Sequence, residues 1–267
     1  MKCLMIYLLF SFVEPQPLHA QNWSVPVYLG IPVYSVRQAD AFSFAENQAS
    51  LASLHHFMAG IYAERFFFLP EMDHYRAAVA LITSSGNFGF NGTWSGNSDF
   101  AEASCGIAYA RTLGKIDVGV QFNYYRVAVA SYGHAASVNV EGGFILHFTP
   151  RFNGGMHLFN AAGTSLAHEE QLPVIASAGF GYDLSPLFYI GTSFEKQEGL
   201  PVSVRVGFHY AFHKKVFLRF GISSSGSLFF FGLGYLLGDF RIDATASFHP
   251  QLGTTPGLLF IYNHPEE

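Results

Sequence analysis

The chain has 267 residues and a formal net charge of −5 at pH 7; 50% of its residues are hydrophobic, 17% are aromatic and 12% are charged. The charged fraction is about half the usual share, and the negative balance argues against a nucleic-acid partner, since such proteins need Lys and Arg to neutralise phosphates. Of the two cysteines, Cys3 lies in an N-terminal leader, which leaves Cys105 without a disulfide partner in the mature chain.

The first twenty residues have the layout of a cleavable secretory signal peptide, with a positive Lys2, an apolar run over residues 3–13 and a predicted cut after Ala20. The apolar run is too short for a membrane helix, which needs about 20 residues. Later in the chain no apolar stretch approaches ~18 residues, so membrane helices are excluded. Residues 21–54 lack the alternation of apolar and polar residues that is typical of a strand, and we interpret them as a partly helical segment that packs before the first strand.

From His56 onward, segments of alternating apolar and polar residues are each closed by a turn signal. In residues 202–210 every second residue is apolar or aromatic, with Ser, Arg, Gly and His between them. Side chains on a strand point alternately to opposite faces, so such a strand has one apolar and one polar face. The predicted strands span residues 57–68, 75–82, 88–94, 103–111, 116–129, 138–148, 152–159, 174–182, 188–194, 202–212, 216–222, 228–237, 240–248 and 257–262.

The connections between these strands alternate between tight turns and segments that are longer on average, as in outer-membrane barrels with short periplasmic turns. The longest connection, residues 160–173, is a candidate contact for a partner. The sequence therefore predicts an all-β fold: a 14-stranded antiparallel transmembrane β-barrel with an N-terminal luminal plug. We assign residues 1–20 to the signal peptide, 21–54 to the plug and 55–267 to the barrel. The alternative, a soluble sandwich, would have to hide all these apolar strand faces in one core.

If lipid takes the apolar face, the polar face lines the lumen, because an Arg at mid-depth on the lipid face would cost about 2–4 kcal/mol. These residues either pair across the lumen and hold the wall in register, which we favour for most of them, or form a polar path or ligand site. Interleaved glycines leave room for a plug or a ligand. The predicted luminal residues are Glu64, Arg76, Glu102, Gln121, Glu141, His157, Glu195, Arg205, His209, Arg219, Arg241 and Asp243.

No residue spacing predicts a metal site, a cofactor or catalysis. His209 and His213 share a strand face but would lie about 13 Å apart, too far to chelate one ion. Asp243, Ser247 and His249 also share a face, yet neighbours on a face are ~6–7 Å apart, too far for a catalytic relay. The chain is predicted to be non-enzymatic, and an outer-membrane lipid hydrolase is the less favoured alternative.

Residues 40–52 resemble the N-terminal signature of the FadL-like barrels, in which an acidic residue and aromatics precede an Asn-Pro-Ala-Gly-Leu-Ala type of segment. The matching residues here are Asp40, Phe42, Asn47, Gln48 and Leu51, with Gln48 in place of Pro and Ser50 in place of Gly. The Bacteroidota branch, the PorV and PorQ barrels of type IX secretion, is most similar in leader, compact strands and strand count. The resemblance implies a fourteen-stranded barrel with its N-terminal segment inside.

The resemblance implies one of two functions. The first is a conduit that passes small hydrophobic molecules across the outer membrane, with outer-membrane lipid around it and no cofactor. The second is a membrane-embedded scaffold or partner of the type IX secretion machinery, bound to a secretion-system protein. A conduit needs an openable lumen, whereas a scaffold can be filled solid.

Overall fold

The computed structural model of the protein describes residues 31–167 and 170–264. The predicted signal peptide, residues 21–30 and the loop residues His168 and Glu169 lie outside the described residues. No helix in the described ranges is long and apolar enough to cross a membrane.

Fourteen antiparallel strands close into a barrel, which confirms the predicted fold class. Each strand pairs with its neighbour along the wall, and the first strand closes against the last with Phe57 opposite His264. A separate two-stranded hairpin, β8 (Ser165–Ala167) with β9 (Glu170–Gln171), lies in the connection between β7 (Phe152–Phe159) and β10 (Ile175–Ser185). The barrel strands are β1 (Phe57–Arg65), β2 (Asp73–Leu81), β3 (Asn87–Gly96), β4 (Phe100–Leu113), β5 (Ile116–Val129), β6 (Gly133–His147), β7 (Phe152–Phe159), β10 (Ile175–Ser185), β11 (Phe188–Gln197), β12 (Ser203–His213), β13 (Val216–Ser223), β14 (Phe229–Leu237), β15 (Phe240–His249) and β16 (Gly253–His264).

The two faces of the wall differ in the way the alternation predicts. On the outer face, Ile61, Ile107 and Leu258 each keep 57% or more of their surface exposed. On the inner face, Asp117 and Gln121 are no more than 2% exposed. A continuous apolar outer surface of this kind suits hydrocarbon rather than water, while the charges turn away from it.

Several strands run further than their hydrophobic pattern predicts. β6 begins at Gly133 rather than at Val138, and β16 begins at Gly253, so the connections there shrink to residues 130–132 and 250–252. The reason is that an antiparallel ladder continues through backbone hydrogen bonds whatever the side chains are. At the end of the barrel where longer connections are predicted, the two longest connections between barrel strands are residues 160–174 and residues 66–72.

The first strand is shorter than predicted, because β1 ends at Arg65 and a 3₁₀ turn, Phe66–Phe68, follows it. Phe67 and Phe68 have φ of 56° and 60°, in the left-handed region that bulky residues seldom adopt. The Phe67 backbone N–H donates to Thr255 Oγ1 (3.2 Å), and its ring meets His249 edge-on. These contacts fold the turn back onto the barrel mouth.

Candidate functional site

Residues 31–54, called the plug segment below, lie inside the barrel. They contain the 3₁₀ turns Ser43–Ala45 and Gln48–Ser53, and the Asn47 side chain caps the second turn by accepting from the Ala49 N–H. Irregular backbone can fill a barrel interior only if its polar groups find partners there. The residues that resemble the FadL-like signature are all at most 4% exposed: Asp40, Phe42, Asn47, Gln48 and Leu51.

One side of the plug segment rests on an apolar seat. Phe44 and Leu51 are fully buried and pack in one cluster with small and aliphatic side chains of the wall. The wall contributes Ala78, Ala80, Ala108, Ala110, Leu259 and Ile261 to this cluster. Burying a Phe or Leu side chain is worth about 1.5–3 kcal/mol, so the seat is a main source of the plug's docking energy.

Within the seat and around the rest of the circumference, the plug segment also touches the wall at glycines, where the wall has no side chain. A Cβ added at Gly89 would lie 2.9 Å from the Phe44 ring, and one at Gly119 would lie 2.6 Å from the Ala49 nitrogen. Any larger residue at these positions would occupy space that the plug fills. The inward glycines in such contact, called the glycine belt below, are Gly60, Gly89, Gly119, Gly143, Gly155, Gly179, Gly191 and Gly207.

Neutral side chains of the wall bind the plug's backbone. Asn87 Nδ2 donates to the carbonyl oxygens of Leu51 and Leu54, each at 2.8 Å. Tyr189, which is fully buried, donates its hydroxyl to the Pro32 carbonyl (2.7 Å) and accepts from the Tyr34 N–H (2.9 Å). These bonds replace the secondary-structure partners that the plug's backbone lacks.

Two ion-pair clusters also tie the plug to the wall. Arg241 on β15 bonds Asp40 of the plug at 2.7 Å and its own strand neighbour Asp243 at 2.6 Å. Arg219 on β13 lies 3.6 Å from the same Asp243 carboxylate. Four of the predicted residues therefore meet in one cluster, in which a signature residue of the plug is paired with luminal residues of the wall.

The second cluster centres on Arg205 of β12, which bonds Glu46 of the plug at 3.0 Å and Glu195 of β11 at 3.5 Å. Burial raises the pKa of the Glu46 carboxyl; Arg205 opposes this rise, Glu195 adds to it and His157 opposes it weakly. Glu46 was not among the predicted site residues. Its position six residues after Asp40 gave no indication of its partner, which lies 159 residues away.

The remaining predicted luminal residues also lie on the inner face. Glu64 and Arg76 are 3.8 Å apart on β1 and β2, and Glu102 lies on the inner face of β4. His209 stacks on Phe217 with ring centroids 4.7 Å apart. The structure thus brings Glu64 and Arg76 together on adjacent strands and places His209 against an aromatic ring.

Gln121, Glu141 and His157 belong to a buried network on β5, β6 and β7. Glu141 Oε1 accepts from Gln121 Nε2 (2.9 Å) and from Asn123 Nδ2 (2.6 Å), and Glu141 Oε2 lies 3.0 Å from His157 Nε2. Asn139, missed in the sequence, accepts from Asn123 Nδ2 at 2.9 Å. The sequence could have indicated Asn139, because it lies two residues before Glu141 and strand alternation places the two side chains on the same face.

A cavity of about 30 Å³ separates this network from the plug segment. Phe42 and Ala45 of the plug form one side of the cavity, which we call the chamber. The wall side is a mixed surface of polar, small and aromatic residues from β2 to β7. It consists of Arg76, Ala77, Ala78, Asn91, Gly92, Thr93, Ser104, Gln121, Asn123, Tyr125, Glu141 and Phe159.

The structure also locates the residues considered for other chemistry. Asp243 is bonded to Arg241 and Arg219, while His249 Nδ1 accepts from the backbone N–H of Leu252 (3.2 Å), so no relay joins Asp243 to His249. Within residues 31–167 and 170–264, no group of three His, Cys, Asp or Glu side chains could hold a metal ion.

Comparison with solved structures finds barrels of the same fold at low sequence identity. The monoaromatic hydrocarbon channel CymD is 11% identical, with a TM-score of 0.62 over 85% of this chain and 93% of that chain. The toluene transporter TodX of Pseudomonas putida is 9% identical, with a TM-score of 0.62 over 88% and 99% of the two chains. A FadL homologue from Pseudomonas aeruginosa is 11% identical, with a TM-score of 0.56 over 88% and 95%.

No protein-family model matches the sequence, and no curated protein matches it significantly. At such low identities the structural likeness establishes the fold alone, and that fold is the one expected of FadL-like barrels. The closer similarity to PorV and PorQ stays a prediction.

Proposed function

We propose that the protein is an outer-membrane conduit for small hydrophobic molecules, closed in this structure by the plug segment. The observation that carries the proposal is that residues of a non-wall segment, rather than the wall's own side chains, fill the barrel. A barrel of about 8 strands is already filled by its side chains, so fourteen strands leave a lumen that something else must close. A plug held by noncovalent contacts is able to leave.

The orientation follows from the connections. The tight turns mark the periplasmic end of an outer-membrane barrel. Three wall residues that bond the plug segment lie at or next to the start of strands that follow such turns: Asn87, Asp117 and Tyr189. The plug would therefore close the proposed periplasmic half of an exported chain whose signal peptide is cleaved after Ala20.

The names of the structural neighbours support the ligand class. TodX is described as a toluene transporter and CymD as a monoaromatic hydrocarbon channel. A protein cavity that binds benzene measures on the order of 150 Å³, whereas the chamber measures about 30 Å³. A conduit function therefore requires the plug segment to move.

The same small cavity favours the second candidate, a membrane-embedded scaffold of an export machine of the PorV and PorQ type, since a scaffold can be filled solid. Its contact surface would be the outer connections, of which residues 160–174 form the longest. The two candidates differ in whether the lumen ever conducts.

The test is solute flux through the purified protein in liposomes, with and without residues 21–49. Flux of a small water-soluble solute, which a protein-free bilayer excludes, that rises on deletion supports the conduit. Heat-modifiable migration and circular dichroism of the deletion variant establish that the barrel still forms. A properly folded barrel that passes no solute in either form would refute the conduit and favour the scaffold.

A further inference from the structure

We propose that the chamber selects hydrophobic molecules that carry a hydroxyl group, such as small phenols, over bare hydrocarbons of the same size. This inference rests on the proposed conduit function and names its substrate class. It starts from the wall of the chamber, which is more polar than a hydrocarbon needs. Hydroxyl and amide side chains lie there beside the aromatic rings of Phe42 and Phe159.

The direction of the hydrogen bonds in this wall is fixed by one charge. Glu141 accepts hydrogen bonds and donates none when ionised. Gln121 must therefore present its amide NH₂ to Glu141, and the same NH₂ also donates to Asn123 Oδ1 at 2.6 Å. A flipped Gln121 amide would set its oxygen against the carboxylate, so the flip is excluded on electrostatic grounds.

This arrangement uses both amide hydrogens of Gln121 and leaves its oxygen as an acceptor. Gln121 is 2% exposed and belongs to the chamber wall, and its Oε1 is buried with no hydrogen-bond donor within the described parts of the chain, so a ligand hydroxyl reaches it once displacement of the plug segment enlarges the chamber. A buried acceptor left unpaired is unfavourable, and a site built to bond a hydroxyl discriminates against the analogue that lacks it. A phenol supplies the missing O–H donor, whereas toluene supplies none.

The geometry also sets where the apolar part of the ligand lies. Phe42 and Ala45 belong to the plug, so the hydroxyl-binding wall and the movable side of the chamber face each other. A ligand that donates to Gln121 would turn its ring toward the plug segment. Displacement of the plug would then enlarge the chamber on the ligand's apolar side.

The experiment measures binding of p-cresol, 4-methylanisole and toluene by calorimetry in detergent, and separately measures liposome flux of a small water-soluble solute that a protein-free bilayer excludes. The three share a methylated ring, and only p-cresol can donate a hydrogen bond. Wild-type protein should bind p-cresol about tenfold more tightly than 4-methylanisole, as expected of one buried hydrogen bond. In Gln121→Met this preference should disappear.

The matched control is Ser193→Ala. Ser193 Oγ is also buried without a partner among the described residues, but it lies on β11 and does not line the chamber. Its substitution should leave the preference intact. Equal binding of the three compounds by wild-type protein, or an unchanged preference in Gln121→Met, overturns the inference even where the protein conducts the water-soluble solute. If no form of the protein conducts the water-soluble solute, the conduit function fails, and the calorimetric preference still decides the specificity of the chamber.

Discussion

The glycine belt gives the sharpest test that the plug segment, rather than the wall, controls the lumen. In Gly119→Ala the new methyl group would lie 2.6 Å from the Ala49 nitrogen and also against the backbone carbonyl of Gln48. Backbone atoms cannot rotate aside as a flexible side chain can. Either the wall or the plug must therefore shift.

The wall is the stiffer of the two. Gly119 pairs with Ala110 on one side and Gly143 on the other, within continuous ladders of backbone hydrogen bonds. Overpacking costs about 1–3 kcal/mol, and nearly all of that cost should fall on docking of the plug. The ratio of molecules with a docked plug to molecules with a released plug should then fall by about 5- to 150-fold.

The assay is liposome flux of a small solute, compared with that of Gly232→Ala. Gly232 also lies on the inner face, but a Cβ there would meet the Phe230 ring at 3.4 Å and Arg219 Cβ at 3.6 Å, which are ordinary contacts. We expect higher flux in Gly119→Ala and wild-type flux in Gly232→Ala. Equal flux in two well-folded variants would refute the plug as the element that closes the lumen.

Three further predictions concern charges. Arg241→Met removes the guanidinium that bonds both buried carboxylates, Asp40 and Asp243, so it should weaken docking of the plug by about 3–5 kcal/mol and raise flux. Adding Asp40→Asn to this variant should restore part of the closure. Because the pKa of Glu46 is raised in the docked state, docking of the plug takes up protons. Closure should therefore be tightest at low pH and weaken as the pH rises through the raised pKa. The conductance of the wild-type protein should rise with pH, and Glu46→Gln should flatten this profile. Phe220→Arg should prevent membrane assembly, measured by outer-membrane fractionation, because an outward charge costs about 2–4 kcal/mol at mid-depth, whereas Ser203→Arg on the inner face should assemble.

The period-two pattern predicted the barrel because a bilayer constrains both faces of every strand. Val206 and Phe208 face outward while Arg205 and Gly207 are buried, and any slip by one residue would exchange them. The same constraint predicted that the charged residues face the lumen. It could not predict how far a ladder continues, which is why the start of β6 at Gly133 was missed.

Which charged residues of the plug and the wall are partners could not be predicted, for a different reason. Asp40 and Arg241 are 201 residues apart, and their contact depends on how the plug segment sits inside a closed wall. Barrel closure and plug position are set jointly by all the strands and not by any local pattern. The luminal glycines indicated that space existed, but only the folded chain shows that Gln48, Ala49 and Tyr34 occupy it.

The two departures from the FadL-like signature lie in the same 3₁₀ turn of the plug, Gln48–Ser53. Gln48 and Ser50 stand where the resembling sequences have Pro and Gly, and both are buried, at 0% and 2% exposed. Neither amide atom of Gln48, nor the Ser50 hydroxyl, finds a hydrogen-bond partner in the described ranges. Each buried unpaired polar group costs about 1–3 kcal/mol, a cost that water removes once the segment leaves the wall. The apolar seat and the Arg241–Asp40 ion pair favour docking, while these polar atoms and the buried Glu46 carboxyl, whose pKa is raised by burial, favour release. The proposed opening of the plug would depend on the balance between the two sets of contacts.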